Sequence, residues 1–328
     1  LIGVPLESRE NRIVFDPMGL PVFINSGGVG AKTVLYALTG NFHHALYDSV
    51  AMKADDALRI GAKVRVISDV IEASGDIGMD AMRLQAEELG IRIGAAYSLK
   101  EEQMPKRIRS DEENPACNIS GSVVSTIDMS RMARLVPNAG NYVLAISGKP
   151  NPRSNDITSR RRIAKDIGNL FRFTENVDEW YKTRDGQALL EYLTQPSTIL
   201  YPVFSDLIDA GATTGVFHMS GGAFNGKLAR PLAKRNLFVR LKDLFPPDSN
   251  DIRMLEYDNM STRSAYEQWS MGNDGFITTS KLSEAVAIIL QHGLNVRKVG
   301  RLQDSAKVGK TGIELKAYNG QEVYFTGT

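Results

Sequence analysis

The chain has 328 residues, of which 42% are hydrophobic and 23% are charged, and its formal net charge is +1. This length and composition predict a globular protein of two domains. A net charge so close to zero gives no overall field that attracts nucleic acid or an anionic membrane, and no apolar run reaches the roughly 18 residues of a membrane-spanning helix. We therefore expect neither a nucleic-acid partner nor a membrane partner.

The single cysteine, Cys117, cannot form an internal disulfide. Secreted proteins of this size more often carry several cysteines, so the composition favours a location in the cytoplasm. We interpret Cys117 as a buried, unreactive thiol rather than as a catalytic nucleophile.

Short β-rich runs alternate with helical runs along the first half of the chain, and glycines such as Gly61 mark the ends of several helical runs. The predicted strands are residues 21–25, 63–71, 91–99 and 119–127. The predicted helices are residues 32–38, 43–60, 78–89 and 129–135. The charged segment between the last two strands predicts a loop.

The alternation continues beyond a turn-forming segment at residues 137–140. The predicted strands are residues 142–147, 216–219, 237–241, 275–279, 296–302, 313–318 and 322–325. The predicted helices are residues 157–171, 188–193, 198–209, 224–233 and 281–292. This pattern predicts an α/β or α+β protein, with one domain at 1–136 and a second at 137–328.

A glycine-rich turn at residues 27–30 (Gly-Gly-Val-Gly) lies between a predicted strand and a predicted helix. Glycines let the backbone approach a phosphate closely, and the N–H groups at a helix N-terminus attract anions. Lys32 would add a full positive charge. Because Ala31 separates Gly30 from Lys32, the turn is not a standard P-loop. Three interpretations stay open: a phosphate-binding turn, the deviant P-loop of a partitioning ATPase, and a turn with a purely structural role.

A second strand–glycine–helix junction contains Gly221 and Gly222, and His218 lies just before it. A histidine in a strand is more often a structural residue than a catalytic one. Two junctions of this kind in one chain nevertheless favour a phosphorylated ligand that both domains contact.

Several charged residues are candidates for ligand binding. Asp48 and Asp55 are seven residues apart on one predicted helix, so they share a helix face. Asp56 follows on the same helix, and Asp69 lies near the end of the next strand. Clustered carboxylates are the ligands that Mg²⁺ takes when it bridges nucleotide phosphates; the alternative is a solvated acidic face. The basic run at 160–162 likewise predicts either phosphate contacts or a solvated helix face, and the second is the commoner case.

Eight short segments then make a family resemblance visible. They are residues 25–32, 47–56, 61–69, 118–121, 148–155, 195–199, 218–222 and 265–272. In this order they resemble segments of aminoimidazole ribonucleotide synthetase (phosphoribosylformylglycinamidine cyclo-ligase) and its PurM-like superfamily. The resemblance runs from about residue 21 to about residue 315.

The resemblance implies a two-domain PurM-like fold, in which the N-terminal sheets of a homodimer pair into a barrel and the C-terminal domain is α/β. It implies ATP and Mg²⁺ as cofactors, a small phosphorylated substrate, and closure of the imidazole ring in purine biosynthesis. The implied catalytic residues are Lys32, Arg153 and His218. The implied nucleotide-binding residues are Gly28, Gly30, Lys32, Ser154, Asn155, Gly221 and Gly222. The implied metal ligands are Asp48, Asp55, Asp56 and Asp69.

The chain departs from the family pattern at several polar positions. Gly27 stands where the pattern has Asp, Asp55 where it has Asn, and Arg153 where it has His. The G-G-E-T segment of the pattern has no clear counterpart near residues 94–97. Two alternatives therefore remain beside the cyclo-ligase: another ATP-dependent reaction of the superfamily, and a non-catalytic nucleotide-binding or structural subunit.

Overall fold

The computed structural model describes residues 5–9, 12–15, 17, 19–30, 32–73, 75–103, 117–148, 152, 157–169 and 177–327. The chain divides into two compact units. The first comprises Leu1–Leu135 and Pro196–Asp209, and the second comprises Val136–Gln195 and Ala210–Thr328. The predicted mixed α/β class is confirmed. Among the described residues, no helix has the length and apolarity needed to cross a membrane.

Strands and helices alternate through both units. The strands are β1 (Pro5–Arg9), β2 (Arg12–Phe15), β3 (Val22–Gly28), β4 (Ala62–Ala73), β5 (Ala96–Gln103), β6 (Cys117–Ile127), β7 (Tyr142–Ser147), β8 (Gly215–His218), β9 (Leu237–Leu241), β10 (Gly275–Thr279), β11 (Asn295–Arg301), β12 (Gln303–Asp304), β13 (Gly312–Lys316) and β14 (Glu322–Phe325). The helices are α1 (Lys32–Thr39), α2 (His44–Ala57), α3 (Met79–Ile93), α4 (Met129–Arg134), α5 (Ile157–Asn169), α6 (Arg184–Leu193), α7 (Tyr201–Asp209), α8 (Arg230–Ala233), α9 (Ser249–Tyr257), α10 (Thr262–Gln268), α11 (Leu282–Gln291) and α12 (Ser305–Val308). Shorter helical turns are Leu58–Ile60 and Val177–Lys182, which are 3₁₀, and Phe224–Ala229, which is π-helical.

Two differences from the predicted elements have local causes. Residues 91–93 continue α3, which ends at Gly94 in the left-handed conformation (φ 72°), instead of beginning a strand. Helices α9 and α10 were not predicted, although each starts with a side-chain cap. Asp248 accepts the N–H of Asn250, and Ser261 accepts the N–H of Ser264. Such caps satisfy N–H groups that a helix start leaves without partners.

A four-stranded sheet in the order β3-β6-β4-β5 forms the centre of the first unit. Neighbouring strands are antiparallel except for β4 and β5, which are parallel. Helix α3 connects these two strands, as a parallel connection requires. Helix α2 packs against β3 and β6, so its buried side chains meet the sheet directly.

The segment 196–209 packs with the first unit, although the sequence-based boundary leaves it in the second domain. Its anchors are hydrogen bonds over a long sequence separation. The N–H groups of Ser197 and Leu200 donate to the carboxylates of Asp48 and Asp55 at 3.1 and 3.0 Å. The hydroxyl of Tyr201 accepts the N–H of Val64 at 2.9 Å. Local pattern cannot reveal such contacts, because the partners are more than 130 residues apart along the chain.

The second unit contains two four-stranded sheets. The first has the order β11-β7-β10-β8 and is antiparallel throughout. The second has the order β12-β9-β13-β14, with β9 and β13 parallel. Strand β10 is buried at every residue, and the ring of Phe276 within it packs edge-on against Phe224 at 5.6 Å between centroids. This strand is therefore central to the core of the unit.

Gly121 marks the closest approach between β6 and β4. A Cβ atom at this position would collide with the carbonyl oxygen of Ser68 and with Oδ1 of Asp69. Gly121 faces Asp69 in the strand register. The glycine therefore leaves the space that the Asp69 carboxylate occupies.

Replacing Gly121 with alanine should lower the free energy of unfolding by about 1–3 kcal/mol, because the added methyl group overpacks a rigid strand pair. Gly27→Ala is the matched control. A Cβ there would meet its nearest atom, Cγ of Lys53, at an ordinary 3.7 Å. Urea denaturation followed by circular dichroism measures both variants, and equal midpoints would contradict the collision at Gly121.

Candidate functional site

The turn that follows β3 has the predicted strand–glycine–helix form. Gly30 adopts a positive φ of 63°, and its carbonyl accepts the Thr33 hydroxyl at 2.9 Å. Gly28 has a different reason to be glycine, since a Cβ there would lie 2.9 Å from the carbonyl oxygen of Ile119 in β6. Gly28 therefore serves strand pairing, whereas the exposed Gly30 shapes the turn before α1.

Lys32, the first residue of α1, is fully buried and directs its ammonium into the protein. It donates to Oδ1 of Asp48 at 3.1 Å, and both side chains have 0% exposure. The Tyr36 hydroxyl donates to Oδ2 of the same carboxylate at 2.5 Å, and the Ser197 hydroxyl donates to Oδ1. Burial, followed by the adjacent Asp48 charge, raises the pKa of Tyr36 well above its ordinary value. The hydroxyl therefore stays protonated and remains a donor.

Asp69 is the centre of a second buried pair. Its Oδ1 accepts the Lys53 ammonium and the Ser49 hydroxyl, the latter at 2.9 Å. Its Oδ2 accepts the Tyr97 hydroxyl at 2.5 Å. Burial lowers the pKa of Lys53, while the Asp69 charge opposes that change. Burial and then the Asp69 charge raise the pKa of Tyr97 well above its ordinary value. We refer to Lys32–Asp48 and Lys53–Asp69 as the α2 charge pairs, because each includes a residue of α2.

The other two predicted metal ligands have separate surroundings. Asp55 is buried and accepts the Leu200 N–H, so Asp48 and Asp55 do share a helix face, which contacts the segment 197–200. The Asp56 carboxylate, with 30% exposure, pairs with Arg59 at 3.3 Å. The predicted shared face is confirmed, and backbone N–H groups of segment 197–200 donate to both of its carboxylates.

The four carboxylates do not assemble into a metal site. Throughout the part of the chain that the structure describes, no three His, Cys, Asp or Glu side chains are placed to hold a metal ion together. Asp48 and Asp69 each form an ion pair with a buried lysine. The residues present therefore do not fit a Mg²⁺ site made jointly by all four carboxylates, because each carboxylate has a different partner.

In the second unit, His218 is the last residue of β8 and is 1% exposed. Gly221 and Gly222 follow as an exposed turn, which confirms the second predicted junction. The helix then begins with a π-helical segment rather than an α-helical turn. Gly222 has a φ of 84° and Ala223 a φ of 32°. A non-glycine residue at positive φ and a π-helical segment both recur at functional sites.

Arg153, Ser154 and Asn155 lie outside the described residues, so their roles stay predictions. The start of their segment is anchored, because the Gly148 N–H donates to Oδ2 of Asp274 at 2.7 Å. Asp274 is buried and sequence reasoning missed it, although it lies two residues after the matched segment 265–272.

Arg160 and Arg162 of the basic run at 160–162 have different surroundings in the fold. Arg160 is fully buried and makes a bidentate pair with Asp251 at 2.8 and 2.9 Å, with its guanidinium 4.1 Å from the centroid of a Trp269 ring. Arg162 is exposed and pairs with Asp258. The predicted solvated face holds for Arg162 but is wrong for Arg160, whose charge is matched inside the core.

A cavity of about 500 Å³ in the second unit also escaped sequence reasoning. Its polar lining includes Asp248, Asp251, Asn295 and Arg297. These residues come from two segments that are more than 40 residues apart along the chain, so no local motif predicts the cavity.

Comparison with known proteins relates these features to a family. No family model matches the chain. The phosphoribosylformylglycinamidine cyclo-ligase of Thermoplasma acidophilum is 21% identical over 315 residues, which cover 93% of this chain and 87% of the relative. Enzymes of the same name from Methanococcus species are 22–24% identical. The chain therefore resembles the phosphoribosylformylglycinamidine cyclo-ligases over about nine-tenths of its length.

Similarity to solved structures shows that this chain has a PurM-like fold. Thiamine-monophosphate kinase from Stenotrophomonas maltophilia matches with a TM-score of 0.58 at 13% identity, covering 93% of this chain and 88% of the kinase. Hydrogenase maturation protein HypE in complex with ATP matches with a TM-score of 0.57 at 12% identity, covering 92% and 84%. At these identities the likeness concerns the fold.

Removing the negative charge of Asp48 should destabilise the first unit strongly. In Asp48→Asn the buried Lys32 ammonium loses its balancing charge, which should lower the free energy of unfolding by about 3–5 kcal/mol. Asp56→Asn is the matched control, because its partly exposed ion pair should be worth less than about 1 kcal/mol. Native-state hydrogen exchange at the amides of α2 measures both, and similar losses would contradict a structural role for the Lys32–Asp48 pair.

The Cys117 thiol should be unreactive in the folded chain. Burial raises its pKa to about 12, so the thiolate fraction at pH 8 should be roughly 10³-fold lower than for an ordinary cysteine. Iodoacetamide alkylation followed by mass spectrometry should label the unfolded chain at least about 10³-fold faster than the native chain. Comparable rates in the two states would show that Cys117 is accessible and ionised.

Proposed function

We propose that this chain binds ATP and closes an imidazole ring, as a divergent phosphoribosylformylglycinamidine cyclo-ligase. The observation that carries the proposal is the similarity to enzymes of that name along about 90% of the chain. Two further observations support it. A strand–glycine–helix junction occurs in each unit, and a neighbour of the same fold is an ATP complex.

The proposed reaction has two steps. ATP transfers its γ-phosphoryl group to the formamide oxygen of formylglycinamidine ribonucleotide and leaves as ADP. A neighbouring nitrogen of the substrate then attacks the activated carbon, so that a C–N bond forms, the C–O bond to phosphate breaks and a nitrogen-bound proton is lost. Such chemistry requires bound phosphates, compensated negative charge and a substrate held with its reacting atoms close together.

We assign these tasks within each unit separately. In the first unit, the exposed turn at Gly30 and the start of α1 are the candidates for phosphate binding, because backbone N–H groups at a helix start attract anions. The Lys32 ammonium is a weaker candidate, since it is buried against Asp48. In the second unit, His218 and the turn at Gly221 and Gly222 are the candidates for substrate binding and proton transfer, together with Arg153–Asn155.

A homodimer also remains a prediction. Strand β3 is an edge strand of the first-unit sheet. Its side chains Val22 and Ile24 are 46% and 62% exposed, which provides an apolar surface that a second copy could cover.

A second candidate function is nucleotide binding without ring closure. The specific observation in its favour is that Asp48 and Asp69 are neutralised by lysines, so they are not available to a metal–nucleotide complex. A protein of this kind would bind ATP yet form no aminoimidazole ribonucleotide.

Incubation of the purified chain with ATP, a divalent-cation salt and formylglycinamidine ribonucleotide should yield ADP and aminoimidazole ribonucleotide in equal amounts. His218→Asn should reduce product formation by about 10²–10⁴-fold, as loss of a proton-transfer group does. His292→Ala is the control, because His292 is an exposed residue at the end of α11.

The outcomes separate the candidates. ADP without the imidazole product would favour another ATP-dependent reaction of this fold. Binding of ATP in calorimetry without any turnover would favour the second candidate. No ATP binding at millimolar concentration would overturn both.

A further inference from the structure

The α2 charge pairs fill the positions around two buried carboxylates. At Asp69, Lys53 and Ser49 donate to Oδ1 and Tyr97 donates to Oδ2. At Asp48, the corresponding donors are Lys32 and Ser197 on Oδ1 and Tyr36 on Oδ2. Each carboxylate oxygen therefore faces at least one N–H or O–H donor, and each carboxylate has one cationic partner.

The four charged side chains are excluded from water. Lys32, Asp48 and Asp69 are 0% exposed, and Lys53 is 1% exposed. The two lysines offset the charges of Asp48 and Asp69, while Asp55, which is also buried on α2, accepts the Leu200 N–H. A cation that entered at Asp69 would lie beside the Lys53 ammonium, which already donates to Oδ1 of that carboxylate.

A departure from the family pattern lies beside Lys53. Gly27 stands where the pattern has an acidic residue, and Lys53 stands at a position that the pattern leaves variable. In the fold they are neighbours, because a Cβ at Gly27 would lie 3.7 Å from Cγ of Lys53. With no carboxylate at position 27, the Lys53 ammonium pairs with Asp69.

We propose that the Lys53 ammonium group takes the place of a divalent cation at Asp69, so that this buried carboxylate is neutralised without a metal. Mg²⁺ requires oxygen ligands in near-octahedral geometry and retains several waters. To reach Asp69 it would have to displace Lys53 and leave that ammonium buried beside a second positive charge, which is strongly unfavourable. The inference does not depend on the proposed reaction, because it concerns only the pairing of these side chains.

Binding of Mn²⁺, which can be followed by electron paramagnetic resonance, tests the proposal on the full chain without nucleotide. The wild-type chain should bind Mn²⁺ no more tightly than about 1 mM at these carboxylates. Lys53→Met retains an unbranched side chain of similar length but removes the ammonium. It should bind one Mn²⁺ at least about 100-fold more tightly than the wild type, because the buried Asp69 then lacks a cation. Its melting temperature should rise with Mn²⁺, whereas that of the wild type should not.

Two control variants test whether the new Mn²⁺ site is at Asp69. Lys63→Met removes a lysine whose ion pair with Asp209 is exposed, and it should leave Mn²⁺ binding unchanged. The double variant Lys53→Met/Asp69→Asn removes both charges of the pair, and it should lose the new site.

A folded Lys53→Met variant that binds Mn²⁺ no better than the wild type would overturn the proposal. Stoichiometric Mn²⁺ binding by the wild type that is lost in Asp69→Asn would also overturn it. If Lys53→Met does not fold, Lys53→Gln takes its place, and a folded Lys53→Gln variant that binds Mn²⁺ no better than the wild type would likewise overturn the proposal. Because no nucleotide is present, none of these outcomes bears on ring closure.

Discussion

The burial of charge on helix α2 is the constraint on which the first unit depends. Asp48 and Asp55 accept hydrogen bonds from N–H groups of the distant segment 197–200. Asp69 of strand β4 accepts hydrogen bonds from Ser49 and Lys53 of α2. Buried ions cost several kcal/mol each in lost hydration, and good pairing with additional hydrogen bonds is needed to offset that cost. The helix, the sheet and the returning segment are therefore held in register by the same few carboxylates.

Features with a local cause could be predicted from the sequence. Both strand–glycine–helix junctions were found, because glycine at positive φ and a helix start are encoded by neighbouring residues, as at Gly30 and Gly222. The hairpin of β13 and β14 follows likewise from the Asn319-Gly320 turn. The i, i+7 spacing correctly placed Asp48 and Asp55 on one face of α2.

What that face contacts could not be predicted from spacing. Lys32 and Asp48 are 16 residues apart, as are Lys53 and Asp69, and only the packing of α1, α2 and β4 brings them together. An aspartate in a helix looks the same in sequence whether its partner is a metal, a lysine or a backbone N–H group. The buried Arg160–Asp251 pair, whose members are 91 residues apart, was missed for the same reason. The partners that a charged side chain meets in the folded protein thus decide its chemistry. The local sequence pattern indicates only which face of the helix carries it.

An ammonium and a divalent cation are not equivalent partners of a carboxylate. Lysine carries one charge on a tether and presents three donors, while Mg²⁺ carries two charges and can bind protein and phosphate oxygens at once. The ammonium groups of Lys32 and Lys53 are buried against Asp48 and Asp69, which makes them weaker candidates for binding a polyphosphate than exposed backbone. Recognition of phosphate would then rest on backbone N–H groups at the glycine turns and on arginines, which bind phosphate oxygens in a fixed fork. Arg153, which replaces a histidine of the family pattern, is the departure that points most directly to such a change.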